Sequence, residues 1–103
     1  MIIAVAGTGT GVGKTRLAAA LVRALAARGP VVGWKPVESG VVGERGDDEA
    51  ALAEASSVHV PSIRLRAPLS PHLAARMEGV TLDPAALHRG WLVLAAAWPA
   101  LVL

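Results

Sequence analysis

A short glycine-rich segment near the start of the chain contains the residues best suited to bind a ligand. It runs from Gly7 to Thr15 with the sequence GTGTGVGKT. Repeated glycines let the backbone come close to an anion and point several N–H groups at it. An apolar run from Met1 to Ala6 precedes the segment, and a helical pattern follows it. Since a phosphate-binding loop requires this strand–loop–helix setting, the segment predicts binding of phosphate groups.

The last residues of this loop suit the phosphates of a nucleotide. Lys14 supplies a flexible charge for the β- and γ-phosphates, and Thr15 supplies a hydroxyl for Mg²⁺. The usual spacing G-x-x-x-x-G-K-T would place its first glycine where this chain has Thr8. The alternative is a glycine-rich turn that binds nothing. The Gly-Lys-Thr sequence between a strand and a helix disfavours that alternative.

Lysine is rare in this chain, which contains eight Arg but only two Lys, Lys14 and Lys35. Lys35 ends the second predicted strand, and Ser39 follows four residues later. The carboxyl ends of strands in an open parallel sheet share one crevice, so we expect Lys35 and Ser39 near the phosphate loop. Lys35 could hold a γ-phosphate or an anionic substrate group there. The alternative is an exposed lysine at a strand end with no ligand.

Acidic residues at the start of a predicted helix form a third candidate group. Asp47 is the predicted N-cap of a helix from Asp48 to Ala55. Carboxylates in this position commonly compensate the helix dipole. On local grounds alone, Asp48 is therefore more readily a structural residue than a metal ligand.

The rest of the pattern predicts the elements that position these residues. Buried strands are predicted at 1–6 and 31–36, with a helix between them from Lys14 to Gly29-Pro30. This strand–loop–helix–strand unit implies a parallel sheet. The other predicted elements are a loop at 38–46, a short strand at 63–66, helices at 72–77 and 84–97 with Asp83 as the N-cap of the latter, and a strand at 100–103. We therefore expect one α/β domain with a parallel sheet and flanking helices.

Several segments, in order along the chain, resemble the dethiobiotin synthase family, whose members have the P-loop NTPase fold. These segments are GTGTGVGKT, GWKPVESG, the carboxylate pair Asp47-Asp48, and PLSPHLAA. The resemblance covers nearly the whole chain and implies a three-layer α/β fold. In the family, a Glu-Gly-Ala-Gly-Gly segment directly follows the third strand, and this chain lacks it. We therefore expect residues 1–103 to be the N-terminal part of such a domain, incomplete at the C-terminus.

The resemblance implies a ligase of biotin biosynthesis that converts 7,8-diaminononanoate and CO₂ to dethiobiotin with ATP and Mg²⁺. It implies that Lys35 is the catalytic lysine, that Ser39 contacts the substrate, and that Thr15 and Asp48 hold Mg²⁺. The residues implied to bind the nucleotide are Gly11, Val12, Gly13, Lys14, Thr15, Arg16 and Asp48. The resemblance also implies a homodimer. Many family members carry acidic residues where this chain has Gly9 and Gly11. The resemblance therefore does not imply, for this chain, any contact that those acidic side chains make in the family.

Composition excludes several other functions. The length of 103 residues suits one small domain. The absence of Cys excludes disulfides, thiolate metal sites and cysteine nucleophiles. A net charge of +2 with scattered arginines argues against a nucleic-acid partner. The apolar stretches are too short to span a bilayer, and no basic region precedes the first one, so we expect a cytoplasmic protein without a membrane partner.

Two hypotheses from different classes follow. The first is an enzyme: a dethiobiotin synthase, or the N-terminal part of one. The second is a truncated, non-catalytic module with a phosphate-binding loop that holds nucleotide or phosphate without turnover. Formation of the cyclic urea product distinguishes them.

Overall fold

The computed structural model describes residues 1–7, 13–98 and 100–102 of the chain. These residues form five short strands and four helices. The strands are β1 (Ile2–Ile3), β2 (Val31–Gly33), β3 (Val37–Glu38), β4 (Ile63–Arg64) and β5 (Ala100–Val102). The helices are α1 (Lys14–Ala26), α2 (Asp47–Ala55), α3 (Pro71–Glu78) and α4 (Pro84–Ala97).

The main sheet has three parallel strands in the order β1-β5-β2. Leu101 of β5 lies opposite Ile2 on one side and Val32 on the other. The predicted parallel sheet is therefore confirmed. β5 lies between β1 and β2, so these two strands are not direct neighbours in the sheet.

Helices cover both faces of this sheet. Successive residues of a strand point to opposite faces, so Val31 and Val32 enter separate cores. Val31 packs with Val22 of α1 and Leu52 of α2. Val32 packs with Trp34 and with partly buried residues of α4, including Trp91. The arrangement has three layers, as predicted, with α1 and α2 on one face and α4 on the other.

A second, smaller sheet pairs β3 with β4 in parallel. Glu38 lies opposite Arg64, and α3 covers Leu65, which follows β4 and is fully buried. The prediction that residue 38 begins a loop is wrong. Pairing with a strand that lies 25 residues further along the chain makes residues 37 and 38 a strand, and no local pattern encodes that pairing.

The predicted helices are confirmed, with small changes at their ends. The helix α4 begins as expected, because the Asp83 carboxylate accepts a hydrogen bond of 3.0 Å from the N–H of Ala85. The strands β1 and β2 are shorter than the apolar runs that predicted them. Pro99 and Leu103, at the predicted helix break and strand end, lie outside the described residues. None of the helices in the described part of the chain is long and apolar enough to cross a membrane.

Candidate functional site

The first side of the candidate site is the start of α1. Gly13 is the N-cap of this helix and has a φ of 94°, a left-handed conformation that glycine adopts without the strain of a side chain. Lys14 and Thr15 are the first two helical residues. The N–H groups of the first helical turn and the positive end of the helix dipole lie at this end of α1, and both favour an anion. Gly11 and Val12 of the predicted phosphate loop lie outside the described residues.

The second side of the site joins the end of β2 to the start of α2. Lys35 lies two residues beyond β2, and its Nζ donates a hydrogen bond to Oδ2 of Asp48. The Thr15 hydroxyl lies near enough to Asp48 to lower the pKa of its carboxyl. The side chains of Lys35 and Asp48 are 39% and 28% exposed, so a ligand can reach both. The structure thus brings together three of the predicted site residues from separate elements.

Asp48 remains ionised over an extended pH range. Burial raises the pKa of its carboxyl. Four interactions lower that pKa by a larger amount: hydrogen bonding with Lys35 and with Thr15, and the charges of Lys35 and Lys14. The net pKa lies below the usual value for an aspartate. The carboxylate therefore stays available to hold a cation.

These residues line one cleft with a volume of about 510 Å³. The described residues along it are Val5, Gly13, Lys14, Thr15, Arg16, Ala18, Trp34, Lys35, Asp48 and Leu52. Three cationic side chains, those of Lys14, Arg16 and Lys35, share the cleft with one carboxylate. This balance of charge suits a ligand with several negative charges.

Ser39, the predicted substrate contact, lies at the start of the segment after β3. It follows Glu38 at the end of β3 and is partly buried. In the described part of the chain it is not among the residues that line the cleft. Its contact with a substrate stays a prediction.

The donor set of the cleft fits Mg²⁺ better than a transition metal. Among the described residues, no group of three or more His, Cys, Asp and Glu side chains could hold a metal ion by itself. Mg²⁺ does not need such a cage, since it is usually held by one or two oxygen ligands together with water and the phosphates of a substrate. The Thr15 hydroxyl and the Asp48 carboxylate are hard oxygen donors of this kind, and both residues line the cleft.

A second pocket has a volume of about 540 Å³ and is lined by charged side chains, several of which bind other groups of the protein. Arg64 forms two hydrogen bonds with Glu49, of 2.8 and 2.6 Å, and His59 lies 2.7 Å from the same carboxylate. The Glu78 carboxylate accepts hydrogen bonds from the N–H groups of Arg66 and Ala67. Since many of its charges already have partners within the protein, this pocket is a weaker candidate than the cleft at Lys35.

The residues that anchor α2 were not among those predicted from the sequence. Asp47 is not the N-cap as predicted, because Gly46 occupies that position and Asp47 is the first helical residue. The carboxylate of Glu38 accepts the hydrogen bonds that a cap would take, and Glu49 is held by Arg64. The sequence contains one signal for such an anchor, a glycine directly before an acidic helix start. A glycine N-cap leaves helix N–H groups without a side-chain partner, so another residue must accept their hydrogen bonds.

Nearly the whole chain matches one known protein family. A family model described as an AAA domain matches residues 2–102. The chain belongs to the AAA domain family. Gly13, the start of α1 and the segment after β2 are the described parts of this AAA domain that line the cleft.

This AAA domain chain is also similar to curated proteins named ATP-dependent dethiobiotin synthetase BioD. It is 46% identical over 86 residues to the protein of Agrobacterium fabrum. The matched region covers 81% of this chain and 39% of that relative. The Brucella abortus (strain S19) protein is 48% identical over 88 residues, covering 82% and 39%. The Rhodopseudomonas palustris protein is 48% identical over 91 residues, covering 84% and 40%. These matches confirm the resemblance predicted from the motifs, and the chain spans about two fifths of the length of these relatives.

Proposed function

We propose that this chain carries the phosphate-binding loop and the catalytic lysine of an ATP-dependent dethiobiotin synthetase. The observation that supports the proposal most strongly is the ion pair between Lys35 and the Asp48 carboxylate, in a cleft that Lys14 and Thr15 also line. The names of the curated relatives support the assignment of the reaction. Lys14 and Lys35 line this cleft together with the start of α1, and a helix start favours bound phosphate groups, which supports the proposal.

The proposed reaction closes a cyclic urea. One amine of 7,8-diaminononanoate captures CO₂ as a carbamate, ATP phosphorylates the carbamate, and the second amine displaces phosphate. Negative charge accumulates on the carbamate and on the transferring phosphoryl group. In the proposal, the Lys35 ammonium stabilises this charge, Asp48 orients the ammonium, and Ser39 contacts the substrate.

The nucleotide would lie along the start of α1. In this proposal Gly11, Val12, Gly13 and Arg16 bind its phosphates together with Lys14, and Asp48 lies beside them. Thr15 and Asp48 would hold Mg²⁺, which neutralises phosphate charge when it is bound. The hard oxygen donors of these two side chains support this assignment.

We also propose the partners of the protein and its cellular location. Its partners are small molecules, namely ATP, diaminononanoate and CO₂, and a second copy of the chain in a homodimer. We place it in the cytoplasm, with neither nucleic acid nor membrane as a partner. The small net charge of +2 supports the first of these exclusions.

The test is product formation by the full chain. It is incubated with diaminononanoate, bicarbonate, Mg²⁺ and ATP, and dethiobiotin is measured by mass spectrometry. We expect product from the wild type and about 100-fold less from Lys35→Gln, because removal of a preorganised charge at the reacting group has an effect of this size. Arg28→Gln removes one charge from an exposed site beyond α1 and serves as the matched control, with unchanged activity expected.

Two results would contradict the proposal. Equal product from the wild type and Lys35→Gln would remove Lys35 from catalysis. Nucleotide binding without any product would assign this chain to the second hypothesis, a non-catalytic phosphate-binding module.

A further inference from the structure

The helix that carries Asp48 begins without a side-chain cap of its own. Its N-cap is Gly46, and no side-chain hydrogen bond is made from that position. The N–H groups of Asp48 and Glu49, at the second and third helical positions, are those that a serine or aspartate N-cap normally satisfies. In this chain Glu38 of β3 satisfies them, since its Oε1 accepts from Asp48 and its Oε2 from Glu49, each at 3.0 Å.

This arrangement needs a glycine at position 46. A Cβ placed on Gly46 would lie 2.2 Å from Oε2 of Glu38 and 2.5 Å from its Oε1, distances that real atoms do not adopt. The φ of Gly46 is −76°, which any residue can adopt. Space for the Glu38 carboxylate, rather than backbone conformation, therefore calls for glycine here.

Glu38 is itself buried, with 6% of its surface exposed. A buried carboxylate is costly unless charge-assisted hydrogen bonds compensate it. The two N–H groups and the positive end of the α2 dipole provide that compensation. The carboxylate thus fixes the backbone of Asp48 from a neighbouring strand, while the side chain of Asp48 extends to Lys35 and Thr15.

We propose that Glu38, in the space left by Gly46, is a positioning residue that holds the Asp48 carboxylate against Lys35 and in place for the metal-bound nucleotide. The second half of this inference rests on the proposed function, because it assigns Asp48 to Mg²⁺. The first half, the contact with Lys35, stands on the contacts of this chain alone. The two halves are therefore tested by separate readouts.

The first readout needs neither nucleotide nor metal. The full chain is treated briefly with an amine-acetylating reagent, and acetylation of Lys35 is compared with that of Lys14 by mass spectrometry. We expect the ratio of Lys35 acetylation to Lys14 acetylation to rise about threefold in Glu38→Gln. The rise is modest because a partly exposed ion pair protects the lysine only weakly. Gly46→Ala, which displaces the same carboxylate, should raise the ratio by a similar factor.

The second readout is ADP affinity by calorimetry, with and without Mg²⁺. We expect Glu38→Gln to lower the gain in affinity that Mg²⁺ provides about tenfold, the equivalent of one lost helix cap, while metal-free ADP affinity stays within about twofold. The matched control is Glu78→Gln, because Glu78 also bridges two consecutive N–H groups but lies outside the cleft. It should change neither readout.

The outcomes separate the inference from the proposed function. An unchanged Lys35 to Lys14 ratio in both Glu38→Gln and Gly46→Ala overturns the positioning role. Equal losses of affinity in Glu38→Gln and Glu78→Gln, with or without Mg²⁺, also overturn it, because they report general destabilisation. If the wild type gains no ADP affinity from Mg²⁺, the metal assignment of the proposed function fails, whereas a raised acetylation ratio still supports the contact with Lys35.

Discussion

Lys35 and Asp48 come from different elements and meet in the cleft through one ion pair. Both were candidates from the sequence alone, Lys35 through the rarity of lysine and its place at a strand end. Asp48 was a weaker candidate, because acidic residues at a helix start are commonly structural. Their contact could not be predicted from either local pattern, since it depends on the packing of α2 beside the end of β2. The same holds for Glu38, which no local feature connected to α2.

Glu49 gives a prediction for the pH dependence of stability. Hydrogen bonds from Arg64 lower the pKa of this buried carboxyl most, burial opposes them, and His59 lowers it further, so that its pKa is about 2 instead of 4.5. The pKa is lower in the folded state, so the stabilisation is complete above about pH 4.5 and is lost as the pH falls towards 2. We expect its full size to be about 1–2 kcal/mol, because Arg64 and His59 are each more than one third exposed and solvent screens their charges.

Urea unfolding of wild type and Glu49→Gln at several pH values checks this prediction. The difference in free energy of unfolding between them should be largest at pH 7 and should shrink between pH 4.5 and 3. Glu54→Gln is the control, because Glu54 is an exposed residue of the same helix. A difference that stays constant from pH 7 to pH 3 would show that Glu49 is not held by these partners.

At the scale of elements, helices were predicted more accurately than short strands. The helix α1 begins at Lys14 as expected, because a glycine-rich loop and a Gly-Pro pair mark its two ends. The strands β3 and β4 have two residues each, and their pairing depends on contacts distant in sequence. The N-terminus of α2 was misassigned for the same reason, since its cap comes from β3 and not from its own N-cap residue.

The packing of α1 and α2 on β2 gives a second prediction about stability. Leu52 of α2 is 5% exposed and packs with Val22 and Val31, whereas Leu92 of α4 is 49% exposed. Leu52→Ala should lower the free energy of unfolding by about 2–4 kcal/mol, because it leaves a cavity in the core. Leu92→Ala should change it by no more than about 0.5 kcal/mol.

Urea titrations of the two variants and the wild type measure this difference. Similar losses for Leu52→Ala and Leu92→Ala would contradict the layer assignment, because they would mean that α2 does not bury Leu52 against α1 and β2.

At the scale of the whole molecule, the α/β class and the parallel sheet were predictable from the sequence, but the strand order was not. Apolar runs indicate buried strands, and the crossover between them indicates parallel pairing. No local signal places β5 between β1 and β2. The cleft still forms, because the start of α1, the segment after β2 and the start of α2 meet beside the sheet. The chain spans about two fifths of the length of its curated relatives, 39% for the Agrobacterium fabrum protein.

We propose above all that this cleft binds the phosphates of a nucleotide through Lys14. The most direct test is calorimetric titration of the full chain with ATP in the presence of Mg²⁺, comparing wild type, Lys14→Ala and the control Arg28→Gln. We predict that Lys14→Ala lowers ATP affinity about 10- to 100-fold, as loss of a charge-assisted hydrogen bond does, while Arg28→Gln leaves it unchanged. Equal ATP affinity in Lys14→Ala and the wild type would contradict the account.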